Sequence, residues 1–334
     1  MARHSMPVRR LAMVTATAAA LAGCVGGEAA EPPSAPATAP ATTAPFDPAA
    51  VGANELGLVP VLMYHQITPD PAGEYDQTPE EFRAELARLY AEGYRPVTTA
   101  DYVSGALDLP AGTHPVVLTF DDSTLSQLRL TESGAPTPDS AVGILEEFAA
   151  AHPGFAATAS FYVNDEPFGG DPRALAWLAD HGYEIGAHTA THANLARLDA
   201  HGVQREIVLN IRAIQAATGG APVRTMALPL GIAPSEPWLA SAGAWDGTTY
   251  TFDAVLLVGA EPAPSPFGAF DRGGVPRIRS GRGEVAFDSG YWLDRLAADP
   301  AARYTSDGNP DRISFPRNLT GELGAAWAER AHPY

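Results

Sequence analysis

Apolar runs alternate with helix-period segments along most of the chain. Residues 59–65, VPVLMYH, form a continuous apolar run and predict a buried strand. Thr78-Pro79-Glu80-Glu81 then makes a capping box with proline in the first turn. Phe82, Leu86, Leu89 and Tyr90 follow at helical spacing, and Gly93 closes the helix. Residues 99–107 predict a shorter helix, and 115–120, PVVLTF, a strand covered on both faces. The pattern continues with a helix over 140–151, a strand over 157–163, a helix over 171–181 and a strand over 183–187. A helix over 203–218, closed by Gly219-Gly220, and a strand over 223–228 complete it. Such β/α alternation predicts parallel strands with helices outside. Beyond residue 232 the pattern weakens: 251–258, TFDAVLLV, predicts a strand, and the remaining segments resist assignment.

The first 50 residues follow none of this. Arg3, Arg9 and Arg10 precede the small apolar run LAMVTATAAALA at 11–22, a secretory signal too short for a permanent membrane span. Leu21-Ala22-Gly23-Cys24 resembles the lipobox of bacterial lipoproteins. That resemblance implies removal of 1–23 and a lipid on Cys24, which would hold the protein outside the cytoplasm at the cell membrane. Residues 25–50 are rich in Ala, Pro and Thr and cannot bury a core, so 24–55 is expected as a tether. One folded domain, 56–334, remains, and it is taken as a monomer.

Composition narrows the chemistry. The 334 residues carry a formal net charge of -18, which argues against nucleic acid as a partner. The single cysteine, Cys24, excludes an internal disulfide and any multi-cysteine metal site. The chain contains no lysine, so Schiff-base and P-loop chemistry are excluded.

Two polar clusters sit where strands end. Asp121-Asp122 directly follow the run VVLTF, in the position where loops after parallel strands build sites. Alone, they read better as solvated turn residues. His188 and His192 follow the strand YEIGA at a spacing that suits one metal ion. Two imidazoles and a carboxylate make a three-ligand site with open positions, a set that non-haem iron oxygenases also use.

These residues carry a resemblance. Thr119-Phe120-Asp121-Asp122 and His188-Thr189-Ala190-Thr191-His192 resemble the first two motifs of the polysaccharide deacetylase family, carbohydrate esterase family 4 (the NodB homology domain). Ala227-Leu228-Pro229-Leu230-Gly231 resembles the third. VPVLMYHQI and EEFRAELARLYAEGYRPVT are similar to the subgroup of poly-N-acetylglucosamine deacetylases that act on biofilms. The resemblance implies an α/β fold, a distorted (β/α)7 TIM-like barrel, here with an irregular C-terminal extension. It implies that Asp122, His188 and His192 bind a divalent metal, most often zinc. Asp121 would be the general base, and the backbone N–H of Leu230 would help stabilise the oxyanion. The substrate would be an N-acetylated envelope or biofilm polysaccharide. Alternatives are an O-acetyl esterase on xylan or another glycan, and a glycan-binding lipoprotein without turnover.

The chain departs from the family pattern in four places. Ser123 stands where glycine is usual, and the long stretch that follows, up to the helix at 140, is expected to form a flap. Ala227 stands where an arginine usually pairs with the base; an arginine from elsewhere would have to replace it, and Arg277 and Arg279 are candidates. No late histidine motif is present, so the acid role falls to His65, as in the poly-N-acetylglucosamine subgroup. Histidines 114, 152, 181 and 201 read as solvated, and Trp238, Trp245, Tyr250 and Trp292 as sugar-stacking or core residues.

Overall fold

The computed structural model describes residues 46–281 and 285–334. The expected signal peptide, Cys24 and the expected tether up to residue 45 lie outside the described residues. In chain order the elements are β1 (Val61–Tyr64), α1 (Pro79–Ala91), β2 (Tyr94–Val97), α2 (Thr99–Ser104), β3 (His114–Asp121), α3 (Ala141–Ala151), β4 (Ser160–Val163), α4 (Ala174–Asp180) and β5 (Glu184–Ala187). They continue with α5 (Ala200–Thr218), β6 (Thr225–Ala227), β7 (Ala242–Trp245), β8 (Thr248–Thr251), β9 (Ala254–Leu256), β10 (Ile278–Arg279), α6 (Ser289–Ala298), β11 (Ile313–Phe315) and β12 (Ala331–Pro333).

The strands β10-β1-β3-β4-β5-β6-β9 form a parallel sheet in that order, and β2 pairs with the N-terminal half of β3. Val275 bridges Leu256 at the end of β9, while Ile278 and Arg279 pair with Leu62 and Met63 of β1. One short segment, 275–279, therefore touches both ends of the sheet order and closes it into the expected distorted (β/α)7 barrel. Two small pairs lie off the barrel, the antiparallel β7–β8 hairpin and β11–β12.

Local sequence explains the helices. Thr78 and Glu81 form the reciprocal capping box of α1, and Ser140, Asp199 and Asp288 cap α3, α5 and α6 through their side chains. Asp199 starts α5 three residues before the apolar periodicity does. Phe82, Leu86 and Leu89 of α1 pack on Tyr64, Phe120 and the stacked Phe161, so the outer core lies between helices and sheet. Inside the barrel Tyr162 lies over Gly186; a Cβ there would come within 2.3 Å of its ring, so β5 needs glycine at that point.

Three sequence expectations shift. β2 was not anticipated, because Tyr94–Val97 contains Arg95 and Pro96 and shows no apolar run. The strand expected over 251–258 is split: β8 ends at Thr251, and the chain turns through Phe252 and Asp253 before β9 joins β6. The C-terminal region is less of an extension than expected, since β9 and the 275–279 segment complete the barrel.

The tether, expected through residue 55, ends earlier. Ala53, Asn54 and Glu55 are buried; Asn54 bridges Thr305, and the Tyr334 hydroxyl donates to the Ala53 carbonyl at 2.8 Å. Polar and small residues read as linker, but here their backbone groups are paired with the C-terminal segment. His114, expected in solvent, is buried at the start of β3, with Nδ1 2.8 Å from the Tyr304 carbonyl. Burial, reinforced by the Arg303 charge, pushes its pKa down to about 4. The histidines at 181 and 201 are exposed and 152 is half-buried, its ring stacked on Phe148.

Glu55 accepts from the Ser314 N–H at 2.7 Å and lies near Asp307; burial first, and that neighbouring charge, raise its pKa to about 7. A carboxyl with a raised folded pKa contributes stability below about 4.5 that is lost as pH rises through 7. Glu55→Gln is therefore expected to stabilise the protein at pH 8 by on the order of 2–3 kcal/mol and much less at pH 5. Urea unfolding at the two pH values checks this; a pH-independent difference would contradict it.

Candidate metal centre

β3 delivers Asp121 and Asp122 to the C-terminal mouth of the barrel, β5 delivers His188, and the following loop delivers His192. After Asp121 the backbone leaves the strand: Asp122 has φ 72 and Ser123 φ 47. The turn lets adjacent carboxylates serve one cavity instead of opposite sheet faces. Five of the eight described non-glycine residues with positive φ lie here: Asp122, Ser123, Thr189, His192 and Leu230. Left-handed backbone at branched or bulky residues costs energy, and its concentration at one mouth marks a site held by its surroundings.

Asp122 is the hub. Its Oδ1 is 3.4 Å from Nε2 of both His188 and His192, and its Oδ2 is 3.9 Å from Nε2 of His65. One ligand atom from each of Asp122, His188 and His192 lies within 4.8 Å of the others. Nδ1 of His188 lies 2.8 Å from the Ala227 carbonyl and donates to it, which leaves Nε2 facing the cluster. This donor set, two imidazoles and a carboxylate with one ring oriented from behind, suits a divalent cation. Burial, then the charge of His188, lowers the pKa of His192 and favours the neutral form that ligates. Burial would raise the pKa of Asp122, but the bond and charge of His188 outweigh it, so the carboxylate stays ionised.

Asp121 lies beneath, 2% exposed, and Arg277 is fully buried beside it. The guanidinium donates from Nη1 to Oδ1 at 2.8 Å and from Nη2 to Oδ2 at 2.7 Å. Further donors reach Thr119 Oγ1 and the Leu257 carbonyl, and its Cζ lies 5.8 Å from the Tyr162 ring centre. Burial alone would raise the pKa of Asp121; the Arg277 charge, with His188 and His65, holds it well below the usual carboxylate range.

Residues 108–243 match the family profile described as polysaccharide deacetylase. Over those residues the chain is similar to polysaccharide deacetylases. The match supports a hydrolase. Among solved structures the chain is similar to a polysaccharide deacetylase from Bacillus cereus (19% identity, TM-score 0.53, covering 72% of this chain and 68% of that one). It is also similar to a Streptococcus pyogenes deacetylase in complex with acetate (18% identity, TM-score 0.52, covering 69% of this chain and 95% of that one). At such identity the likeness concerns the fold.

The residues expected from sequence divide clearly. Arg277 lies on Asp121, whereas Arg279 pairs with Glu74 at 2.7 Å and points elsewhere. His65 lies at the mouth with its ring 4.8 Å from that of Tyr75. Leu230 sits in a left-handed turn after β6 with its side chain exposed. Tyr250 is buried and donates to the Leu239 carbonyl, so it is core; Trp238, 59% exposed, is the most open of the four aromatics considered.

Polar side chains that brace the mouth escaped the sequence reading. Asn210 accepts from the His188 N–H at 3.0 Å and donates to the Val163 carbonyl at 2.9 Å. Asn164 donates to the carbonyls of His188 and Thr189. Glu206 accepts from the Thr191 N–H and hydroxyl. A signal existed for two of them: Glu206 and Asn210 fall on the buried face of α5 with Val203, Ile207, Ile211 and Ile214, where apolar residues are the rule. Gln127, fully buried, donates from Nε2 to the carbonyls of both His65 and Asp121.

Proposed function

We propose that the protein removes N-acetyl groups from an envelope or biofilm polysaccharide, with a divalent cation, zinc by preference, held by Asp122, His188 and His192. The observation that carries this is the buried, bidentate Arg277–Asp121 pair directly beside the three-ligand cluster. A cation in that cluster would polarise the acetyl carbonyl and lower the pKa of water. Asp121, kept ionised and in one orientation by Arg277, accepts the proton of the attacking water. His65, on the opposite side of Asp122, delivers a proton to the departing sugar nitrogen. The Leu230 N–H donates to the oxygen on which negative charge develops. The products are acetate and a free amine on the sugar. A lipid on Cys24 holds the enzyme at the outer side of the cell membrane, where such polymers lie.

The decisive experiment is acetate release from N-acetylglucosamine oligomers and from acetylated xylan, with and without a chelator. Chelator-sensitive release from the oligomers supports the proposal. Release from xylan alone makes the protein an esterase, and glycan binding without release makes it a non-catalytic lipoprotein. His65→Ala should lower kcat by about 10–100-fold with the metal retained; a rate equal to the parent returns His65 to a packing role against Tyr75. Cys24→Ala should move the protein from the membrane fraction to the soluble one, and unchanged fractionation would refute the anchor.

A further inference from the structure

The segment after the aspartate pair is only partly a flap. Residues 131–139 are largely exposed or half-buried, but the first turn folds inward and buries Ser123, Gln127 and Leu128. Gln127 reaches the place where the ladder between β1 and β3 stops. The last registered pair is Tyr64 with Phe120. One step further, His65 and Asp121 would be opposite each other, but Asp122 and Ser123 turn into left-handed backbone and the ladder ends. Gln127 Nε2 spans the gap, donating to the His65 carbonyl at 2.5 Å and to the Asp121 carbonyl at 2.5 Å. The adjacent Ser126 hydroxyl accepts from the Ile67 N–H at 3.2 Å, so the same turn also holds the loop after His65.

We propose that Gln127 is a positioning residue for the deacetylation, setting the spacing between the proton donor His65 and the proton acceptor Asp121. This rests on the reading given above, in which those two residues move the protons. The choice of side chain follows from donor counting. Two carbonyls need two hydrogens from one atom at that point; a hydroxyl has one, and an ionised carboxylate none. The amide is kept although its Oε1 is buried without a hydrogen-bond partner among the described residues. An unpaired buried acceptor is a cost that a purely space-filling residue would avoid. It is tolerated where the two donated bonds fix a geometry the chemistry needs.

Gln127→Met and Gln127→Glu test this in the full-length protein. For Gln127→Met we expect a folded protein with one equivalent of metal, KM near that of the parent, and kcat lowered by about 10–100-fold, the scale on which misplaced catalytic groups act. The cobalt-substituted variant should show a shifted visible absorption envelope, because Asp122 follows the displaced Asp121 carbonyl. Gln127→Glu should match the low kcat near neutral pH. It should recover in part on the acid side, where the protonated carboxyl donates one bond again. A Gln127→Met protein with parental kcat and cobalt spectrum overturns the proposal. So does loss of activity that only tracks loss of fold or metal, with no acid-side recovery in Gln127→Glu. If the parent protein releases no acetate from any acetylated glycan, the deacetylase reading falls. The cobalt spectrum then decides on its own: a shift in Gln127→Met sustains the brace, and an unchanged envelope removes it.

Discussion

Asp121→Asn is expected to lower kcat for acetate release by roughly 10²–10⁴-fold while metal content stays at one equivalent. The side chain keeps its shape but loses the charge that accepts the proton. The metal cluster is built from Asp122, His188 and His192, none of which needs Asp121 as a ligand. KM should change little, because Asp121 is buried below the mouth rather than exposed to the glycan. The substitution also leaves Arg277 as a buried cation with one good acceptor fewer, so the melting temperature should fall. Acetate assay, metal analysis and calorimetry on one preparation separate these effects. Parental turnover would remove Asp121 from the base role.

Arg277→Met should be the most destabilising single change at the site, by about 3–5 kcal/mol, because it strands a buried carboxylate. The side chain also supplies donors to Thr119 and to the Leu257 carbonyl, so their partners are lost as well. The pH dependence gives the sign. With Arg277 present, the folded pKa of Asp121 is depressed, and the stability this confers is present above the ordinary carboxylate range and lost as pH falls through the folded value. Without Arg277, burial dominates and raises that pKa. The deficit of the variant should therefore be largest near neutral pH and shrink as pH falls towards about 4, the unperturbed range. Adding Asp121→Asn to Arg277→Met should recover much of the loss, since it removes the stranded charge. Urea unfolding of the single and double variants at pH 5 and 7.5 tests this. A single variant as stable as the parent would show that the buried pair is not coupled.

The helices with strong caps and the fully buried strands were legible because their signals are local. The capping box at Thr78 and Glu81, the eight buried residues of β3 and the glycine after α5 each act within a few residues. β2 was missed because four residues with an arginine and a proline carry no period, and β3 makes it a strand by offering a ladder. The end of the tether was misplaced for a related reason. Composition describes residues 46–55 as linker, whereas long-range bonds to Thr305, Ser314 and Tyr334 order them.

The sequence by itself determined the chemistry available at the mouth: adjacent aspartates after a strand, histidines four apart after another, and no cysteine among the described residues to compete for a cation. It also offered two arginines as candidate partners of Asp121. Only the tertiary structure separated them. Arg277 and Asp121 are 156 residues apart in sequence, and no local pattern links them. The closing segment 275–279 joins the two ends of the sheet, directs Arg277 into the barrel and leaves Arg279 to Glu74. Residues two apart on an extended segment share a face, so which of the two arginines meets the buried carboxylate follows from register along the sheet, and register is settled only when the barrel closes.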